Sequence, residues 1–178
     1  KVSDCSQVSD GGAALLLVSA EGLARLGLRK EDSVQVMSYG FSTNPLGKVK
    51  DLLRLDTAAR AAEEALSGAG LRPNEVQVAE VHDCFTIAEV MMYEAVGWAK
   101  PGQGAELVKS GHTTLEGDLP VNTGGGLIGF GHPVGATGVK QPIEIFRQMK
   151  GLCGNYQLKQ QPARGMTVNM GGDDRTVV

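Results

Sequence analysis

The chain has 178 residues, of which 42% are hydrophobic and 21% are charged, and its formal net charge is -3. This composition is typical of a globular domain, and the slightly acidic balance lacks the basic surface that nucleic acid requires. Aromatic residues make up only 4%, which argues against a base-stacking platform. The longest apolar run, residues 13–18, is far too short to cross a bilayer. We therefore expect neither a nucleic-acid partner nor a membrane span.

The cysteine content bears on the redox environment. The three cysteines, Cys5, Cys84 and Cys153, are odd in number and widely spaced. This pattern does not suit a disulfide framework, so we expect a reducing compartment.

The first part of the chain predicts two strands around a short helix. Residues 13–19 form a continuous apolar run, which is typical of a strand buried on both faces. Residues 21–28 indicate a short helix ended by Gly27, and residues 34–39 alternate as a second strand. Residues 40–50 are expected to form a loop.

The clearest helix in the sequence follows that loop. Residues 58–66 are rich in alanine and other good helix formers, and Asp56 or Thr57 is positioned to cap them. Gly68 and Gly70 are expected to end the helix, and its alanines would let a neighbouring element pack closely.

The next strand sets the predicted fold class. Residues 75–81 alternate as a strand, and the order strand, helix, strand from residues 34–39 onward implies a parallel pair with a right-handed crossover. The prediction is an α/β fold. Later elements are expected as helices over 86–96, from about 104 to 109 and over 139–149, then strands over 166–169 and 176–178 around a glycine turn.

The stretch from 121 to 138 is unusually rich in glycine and holds His132 between Gly131 and Pro133. Glycine lets the backbone approach closely at an entropic cost, which indicates a site. Residues 135–138 lead into a helix, and such a junction suits an anion or a carbonyl oxygen because the first N–H groups lack partners. The alternative is an ordinary glycine-rich surface loop beside a helix.

A second candidate site is the sequence His82-Asp83-Cys84-Phe85, between the strand at 75–81 and the next helix. Open α/β sheets bind ligands at the carboxyl ends of their strands. A cysteine near a helix N-terminus can have a lowered pKa, and its thiolate serves as nucleophile or base. The alternative is a small buried cysteine beside a hydrogen-bonded histidine.

A zinc site would use His82 and Cys84 with His112 or His132, but the chain has no CxxC or HxxxH pair with structural-site spacing. We therefore expect no metal, and no role for His112. Phosphate-loop and GxSxG patterns are also absent from the sequence.

Three segments together indicate a family: HDCF at 82–85, GHPVGATG at 131–138 and NMGG at 169–172. The combination resembles the carboxyl-terminal half of a thiolase, and more narrowly the thiolase type associated with sterol carrier protein 2. The resemblance covers essentially the whole chain. It implies a thiolase carboxyl-terminal domain over residues 21–178, with a mixed five-stranded sheet and helices on both faces. Residues 1–20 would then contain the last strand of a preceding amino-terminal domain.

The resemblance implies acyl transfer between a 3-ketoacyl-CoA and CoA, or the reverse Claisen condensation. His132 would hold a cysteine nucleophile as thiolate and bind the thioester oxygen, and His82 would be the second donor of that oxyanion hole. Cys84 would be the acid/base, because the cysteine of the usual CxG motif is absent at 169–171. Gly171 would offer an N–H to a second oxyanion. The implied substrate-binding residues are Phe85, Gly131, Pro133 and Asn169.

Two departures qualify the resemblance. The nucleophilic cysteine of thiolases belongs to an amino-terminal half that this chain does not contain, and Cys5 and Cys153 do not match its surroundings. The charges at 173–175 stand where the family has a nearly apolar run, which affects the second oxyanion hole.

The implied partners are CoA and acyl-CoA as substrates, with no bound cofactor, the missing amino-terminal half, and further copies in a homodimer or tetramer. The implied location is the peroxisome, glycosome or mitochondrial matrix, or the cytoplasm of a bacterium. Two alternatives remain: a thiolase-like retro-aldolase acting on steroid-CoA esters, and a non-catalytic subunit that binds acyl-CoA.

Overall fold

The computed structural model describes residues 1–47 and 51–178. Within those ranges, helices and short strands occur in the chain order α1 Ala20–Arg25, β1 Ser42–Thr43, α2 Asp56–Ala69, β2 Val78–Val81, α3 Thr86–Val96, α4 Gly104–Lys109, α5 Gly126–Phe130, α6 Thr137–Met149, β3 Gly165–Val168, β4 Met170–Gly171 and β5 Thr176–Val177.

The centre of the fold is the parallel pair β2 and β3, in which Val78 lies opposite Gly165. Side chains alternate along a strand, so successive residues of β2 face different layers. Val78 packs against Ile145 of α6, whereas Ala79 and Val81 belong to the main core with residues of α2 and α3. The α/β prediction, with helices on both faces, is confirmed.

The remaining strands form a three-stranded antiparallel sheet in the order β1, β5, β4. Met170 of β4 lies opposite Val177 of β5 across the glycine turn. The predicted pair was residues 166–169 with 176–178, but residues 165–168 form β3 and pair with β2, so β4 takes their place beside β5. Asn169 alone separates β3 from β4. The described residues thus contain five strands, not all of them where they were predicted, and they divide into two sheets at this residue instead of forming one mixed sheet.

Helix α2 packs closely, as its alanines predicted. A side chain at Gly40 would overlap the backbone of Ala61, so only glycine permits this approach. The predicted cap is wrong, because neither Asp56 nor Thr57 caps the helix with its side chain. Instead, the backbone N–H groups of Thr57 and Ala58 donate to the buried carboxylate of Asp174, at 3.0 and 2.9 Å. Gly68 lies inside the helix, which ends at Gly70.

The predictions for the first forty residues are the least accurate. Residues 13–19 and 34–39 do not form strands in the structure. The parallel partner of β2 is β3, so the predicted pairing with residues 34–39 is wrong. Helix α1 is shorter than the expected 21–28, and Gly27 adopts positive φ beyond its end. The expected loop at 40–50 contains β1, and its residues 48–50 lie outside the described part of the chain.

The later helices match the predictions well. Helix α3 has the predicted bounds, and α4 and α6 begin and end within two residues of expectation. None of the helices in the described ranges is long and apolar enough to span a bilayer. The proposed division of the chain at residue 20 stays a prediction.

Candidate active site

A cavity of about 580 Å³ opens where β2 ends and α3 begins. The carboxyl end of a parallel strand is the expected place for a ligand in an open sheet. Six of the eight residues predicted for the site line this cavity, namely His82, Cys84, Phe85, His132, Asn169 and Gly171.

The other two predicted residues lie elsewhere. Gly131 and Pro133 line a smaller pocket of about 130 Å³, whose opposite wall is residues 9–13. They flank His132 in the sequence, but they do not line the main cavity themselves. Hydrophobic side chains form much of the main cavity wall, including Leu52, Leu55, Ile87, Met91 and Val134.

His82 directly follows β2 and is 6% exposed. Its Nδ1 lies 2.9 Å from Oδ1 of Asn169, the residue between β3 and β4. Burial lowers the pKa of His82, and the nearby ring of His132 lowers it further, while the Asn169 hydrogen bond opposes the shift. His82 is therefore a neutral imidazole at pH 7.

His132 meets His82 edge to face, with ring centroids 5.0 Å apart and planes at 90°. Its Nδ1 lies 2.6 Å from Oγ1 of Thr137, in the first turn of α6. Burial lowers the pKa of His132, and the Asp83 carboxylate partly opposes this. The cavity thus holds two adjacent neutral imidazoles, each hydrogen-bonded at Nδ1.

Cys84 is half-buried at the start of the turn into α3. Burial raises the pKa of its thiol, the Asp83 carboxylate raises it further, and the backbone N–H of Phe85 only partly opposes this. A helix N-terminus can lower the pKa of a cysteine, but at Cys84 the loss of hydration raises it instead. The thiol is therefore protonated at neutral pH and suited to donating a proton.

Asp83 is a site residue that the sequence reasoning did not assign. Its carboxylate accepts the N–H of Leu127 at 2.7 Å, and so satisfies the first turn of α5. Any side chain at Gly126 would overlap this carboxylate, and Gly126 has a φ of 60°. The predicted loop therefore contains a helix whose start is held by Asp83 and whose end leads to His132. The sequence signal that could have revealed this role is the presence of an aspartate between His82 and Cys84.

Asn122 is a second residue that the sequence reasoning missed. Its Oδ1 accepts the N–H of Val81 at 2.9 Å, and its Nδ2 donates to Glu89 of α3 at 2.8 Å. It adopts a φ of 51°, uncommon for a residue other than glycine. Asn122 thus fixes the end of β2 immediately before His82. A lone asparagine in a glycine-rich run carries no distinctive signal of this role.

The two aspartates that follow Gly172 lie in different surroundings. Asp173 lines the cavity, whereas Asp174 is 1% exposed and turns inward to α2. One of the unexpected charges therefore stabilises a helix terminus and does not enter the site.

In the described ranges, no group of three histidine, cysteine or carboxylate side chains could hold a metal ion. His112 lies apart from the cavity, 3.3 Å from the exposed carboxylate of Asp118.

The chain belongs to the family described as "Thiolase C-terminal domain-like", whose sequence model matches residues 38–175. It is 37% identical over 176 residues to an acetyl-CoA acetyltransferase of Methanothermobacter thermautotrophicus, covering 99% of this chain and 45% of the relative. It is 35% identical over 162 residues to sterol carrier protein 2 of Homo sapiens, covering 88% and 29%. The chain therefore spans less than half the length of these relatives.

Solved structures show the same fold. The "Ltp2-ChsH2(DUF35) aldolase" gives a TM-score of 0.71 at 16% identity and covers 81% of this chain and 38% of that one. A monomeric SCP2-thiolase-like protein from Mycobacterium smegmatis gives 0.62 at 19% identity, with 89% and 31% covered. The expected thiolase carboxyl-terminal fold is confirmed.

Proposed function

We propose that this chain supplies the acid/base and oxyanion-binding groups of a thiolase-type acyl-CoA acyltransferase. The observation that carries the proposal is that one cavity is lined both by a protonated thiol, Cys84, and by two neutral histidines in contact with each other, His82 and His132. The substrates are a 3-ketoacyl-CoA and CoA, and family membership supports the acyltransferase class.

In the cleavage direction, a cysteine thiolate attacks the keto carbon of the substrate. The Cα–Cβ bond then breaks, and its electron pair passes to the enolate of the leaving acyl-CoA. The Cys84 thiol protonates that carbanion, and in the reverse direction its thiolate takes the proton back. Burial raises the pKa of Cys84, which keeps the thiol protonated for the first of these steps.

His132 stabilises the negative charge that develops on the thioester oxygen. A hydrogen bond in a water-poor cavity is electrostatically stronger than one in water. Removing one such donor costs on the order of 100- to 1,000-fold in kcat in acyl-transfer enzymes. Gly171 also lines the cavity, and we assign the backbone there to the second oxyanion.

The nucleophile has to come from residues outside this chain. Of the three cysteines, Cys84 lines the cavity, and neither Cys5 nor Cys153 does. We place the nucleophile in an amino-terminal half, consistent with relatives more than twice this length. Further copies of the assembled protein would complete a homodimer or tetramer.

The test is thiolysis of acetoacetyl-CoA by this chain assembled with the half that carries the nucleophile. We expect Cys84→Ala and His132→Ala each to lower kcat by about 100-fold or more. The matched controls are Cys153→Ala and His112→Ala, which alter the same residue types away from the cavity and should retain kcat. Near-wild-type rates in Cys84→Ala and His132→Ala would contradict the proposal.

A retro-aldolase is the second candidate. It is favoured by one observation, the lack of a second cysteine in the cavity walls formed by the described residues, since retro-aldol cleavage needs no nucleophilic cysteine. Mass spectrometry separates the two: a covalent acyl-enzyme supports the thiolase, and cleavage of a 3-hydroxyacyl-CoA without one supports the aldolase. Binding of CoA without either turnover would indicate the non-catalytic alternative.

A further inference from the structure

We propose that Glu89 is a positioning residue, which acts through Asn122 to fix the relative placement of the three segments that carry the proposed catalytic side chains. The catalytic meaning of this placement rests on the proposed function, whereas the placement is a property of the chain itself. Neither Glu89 nor Asn122 lines the main cavity, so an effect of these two residues on the reaction has to pass through the side chains that do.

The orientation of the Asn122 amide follows from its backbone neighbour. The N–H of Val81 lies 2.9 Å from the side chain of Asn122, and a backbone N–H can only donate, so the atom that faces it is the amide oxygen. The amide nitrogen therefore points to Glu89, whose Oε2 accepts it at 2.8 Å. The backbone N–H of Asn122 also donates to the carbonyl of Ala79 at 2.9 Å. Asn122 is thus held at two points of β2, immediately before His82.

Glu89 completes this arrangement from α3. Its Oε1 accepts the hydroxyl of Tyr93, four residues later in the same helix. Burial raises the pKa of the Glu89 carboxyl, and the hydrogen bonds from Tyr93 and Asn122 oppose the shift. The Asp83 carboxylate adds a smaller raising effect. A buried group that loses its hydrogen-bond partner costs free energy, so the Glu89 carboxyl holds the amide of Asn122 in one orientation.

The hydrogen bonds of these two residues join all three segments. Helix α3, which contains Glu89, begins two residues after Cys84. Asn122 lies in the glycine-rich stretch, and its carbonyl accepts the N–H of Gly125 at 2.8 Å. Gly125 directly precedes α5, whose end leads to His132. The pair therefore connects the end of β2, the start of α3 and the stretch that carries His132.

The relative placement of the three side chains sets the rate of the proposed reaction. The thiol of Cys84 has to reach a carbon of the same substrate whose thioester oxygen His132 binds. A displacement of about 1 Å at a reacting group can cost on the order of 100-fold in rate. Rotation of the Asn122 amide would leave the Val81 N–H without its acceptor and let the end of β2, and with it His82, shift.

The first variant turns the attraction between the two side chains into repulsion. Asn122→Asp keeps an oxygen for the Val81 N–H, but it directs a second oxygen at the Glu89 carboxylate. We measure thiolysis of acetoacetyl-CoA by this chain assembled with the half that carries the nucleophile. We expect kcat to fall by about 10- to 100-fold, with a much smaller change in KM.

The second variant restores the hydrogen bond in the opposite direction. In Asn122→Asp combined with Glu89→Gln, the new amide nitrogen donates to the new carboxylate, and the new amide oxygen still accepts the Tyr93 hydroxyl. The net charge equals that of the wild type, and we expect most of the lost kcat to return. A double variant no faster than Asn122→Asp would overturn the proposal. Should Asn122→Asp fail to fold, Glu89→Leu takes its place, and wild-type kcat in Glu89→Leu would overturn it too.

Glu94 provides the matched control on the same helix. Its Oε1 accepts the N–H of Gly104 at 2.9 Å, at the start of α4, and neither residue lines the cavity. Glu94→Ala should therefore lower the free energy of unfolding and retain kcat. Equal losses of kcat in Glu94→Ala and Asn122→Asp would show a general loosening of α3 and would overturn the specific role.

A readout without turnover separates this inference from the proposed function. The sequence has three histidines, so ¹³C-labelled histidine in this chain gives three ring signals within the same assembly, and His112 serves as the reference. Asn122→Asp should move the signals of His82 and His132 but not that of His112, and the double variant should return them. Unmoved cavity signals would overturn the positioning role. Moved signals in a protein whose wild type shows no thiolysis would overturn the proposed function alone.

Discussion

The first 41 residues and residues 55–178 both contain apolar stretches, but these stretches are exposed in the first region and buried in the second. Every buried hydrophobic side chain of the core belongs to the second region, beginning at Leu55. In the first region, Leu16 and Leu17 are 74% and 75% exposed, and Tyr39 is 75% exposed. The described part of the chain thus concentrates its packing in the second region, and the first region leaves several large apolar side chains uncovered by the rest of this chain.

The difference teaches that strand-forming sequence needs a neighbour. Residues 13–19 have the composition of a buried strand, yet no other strand of the described chain lies beside them. Residues 78–81 have a similar composition, and they form β2 because β3 supplies hydrogen bonds and helices cover both faces. β-propensity measures fit to a pleated, half-buried surface, so it is realised only where that surface exists.

The largest expected loss of stability comes from a comparison of two methionines. Met92 is fully buried in α3, whereas Met37 is 56% exposed in the first region. Met92→Ala should lower the free energy of unfolding by about 2–5 kcal/mol, because it leaves a cavity in the core. Met37→Ala should change it by less than about 0.5 kcal/mol. Urea unfolding of both variants tests the contrast, and equal losses would show that the first region is packed as well.

The second prediction concerns a buried ion pair. Glu80 of β2 is 1% exposed and lies 3.5 Å from Nζ of Lys140. Burial raises the pKa of Glu80 to about 7 from 4.5, although Lys140 opposes the shift. The folded state therefore holds the proton more tightly, and this stability is present below about pH 4.5 and lost as pH rises through 7. The loss is on the order of 3 kcal/mol.

Urea unfolding of Glu80→Gln between pH 4.5 and 8 measures this dependence. Its free energy of unfolding should vary less with pH than that of the wild type. Glu31→Gln, which changes an exposed glutamate of the first region, is the matched control and should follow the wild-type curve. A Glu80→Gln curve parallel to the wild type would show that Glu80 is ionised throughout.

The smallest expected loss of stability comes from a comparison of two aspartates that accept backbone N–H groups. Asp174 accepts the N–H groups of Thr57 and Ala58 across 117 and 116 residues of sequence. Asp174→Ala should cost about 1–3 kcal/mol, because it leaves buried donors at the start of α2 without a partner. Asp32 pairs locally with Arg29 at the surface, where its side chain is 42% exposed, so Asp32→Ala should change the free energy of unfolding far less than Asp174→Ala does. A greater loss in Asp32→Ala would reverse the comparison.

The sequence predicted the long helices well and several strands poorly. Helix α3 has the expected bounds, since its hydrogen bonds run between residues four apart and its signals are local. Helix α5 was missed because its start depends on the Asp83 carboxylate, 44 residues away. The start of α2 likewise depends on a residue far away in the sequence. Its first N–H groups bond to Asp174, and neither Asp56 nor Thr57 caps them.

At the candidate site, the sequence by itself predicted which residues would carry the chemistry: His82, Cys84 and His132 stand in motifs that identify the family. Only the tertiary structure decided their states. Whether Cys84 is thiol or thiolate depends on burial, and the hydrogen-bond partner of His82 is Asn169, 87 residues away. Motifs are fixed by the covalent order of residues. Hydration and hydrogen-bond partners arise only when distant segments meet, so the protonation states of these side chains depend on the tertiary structure.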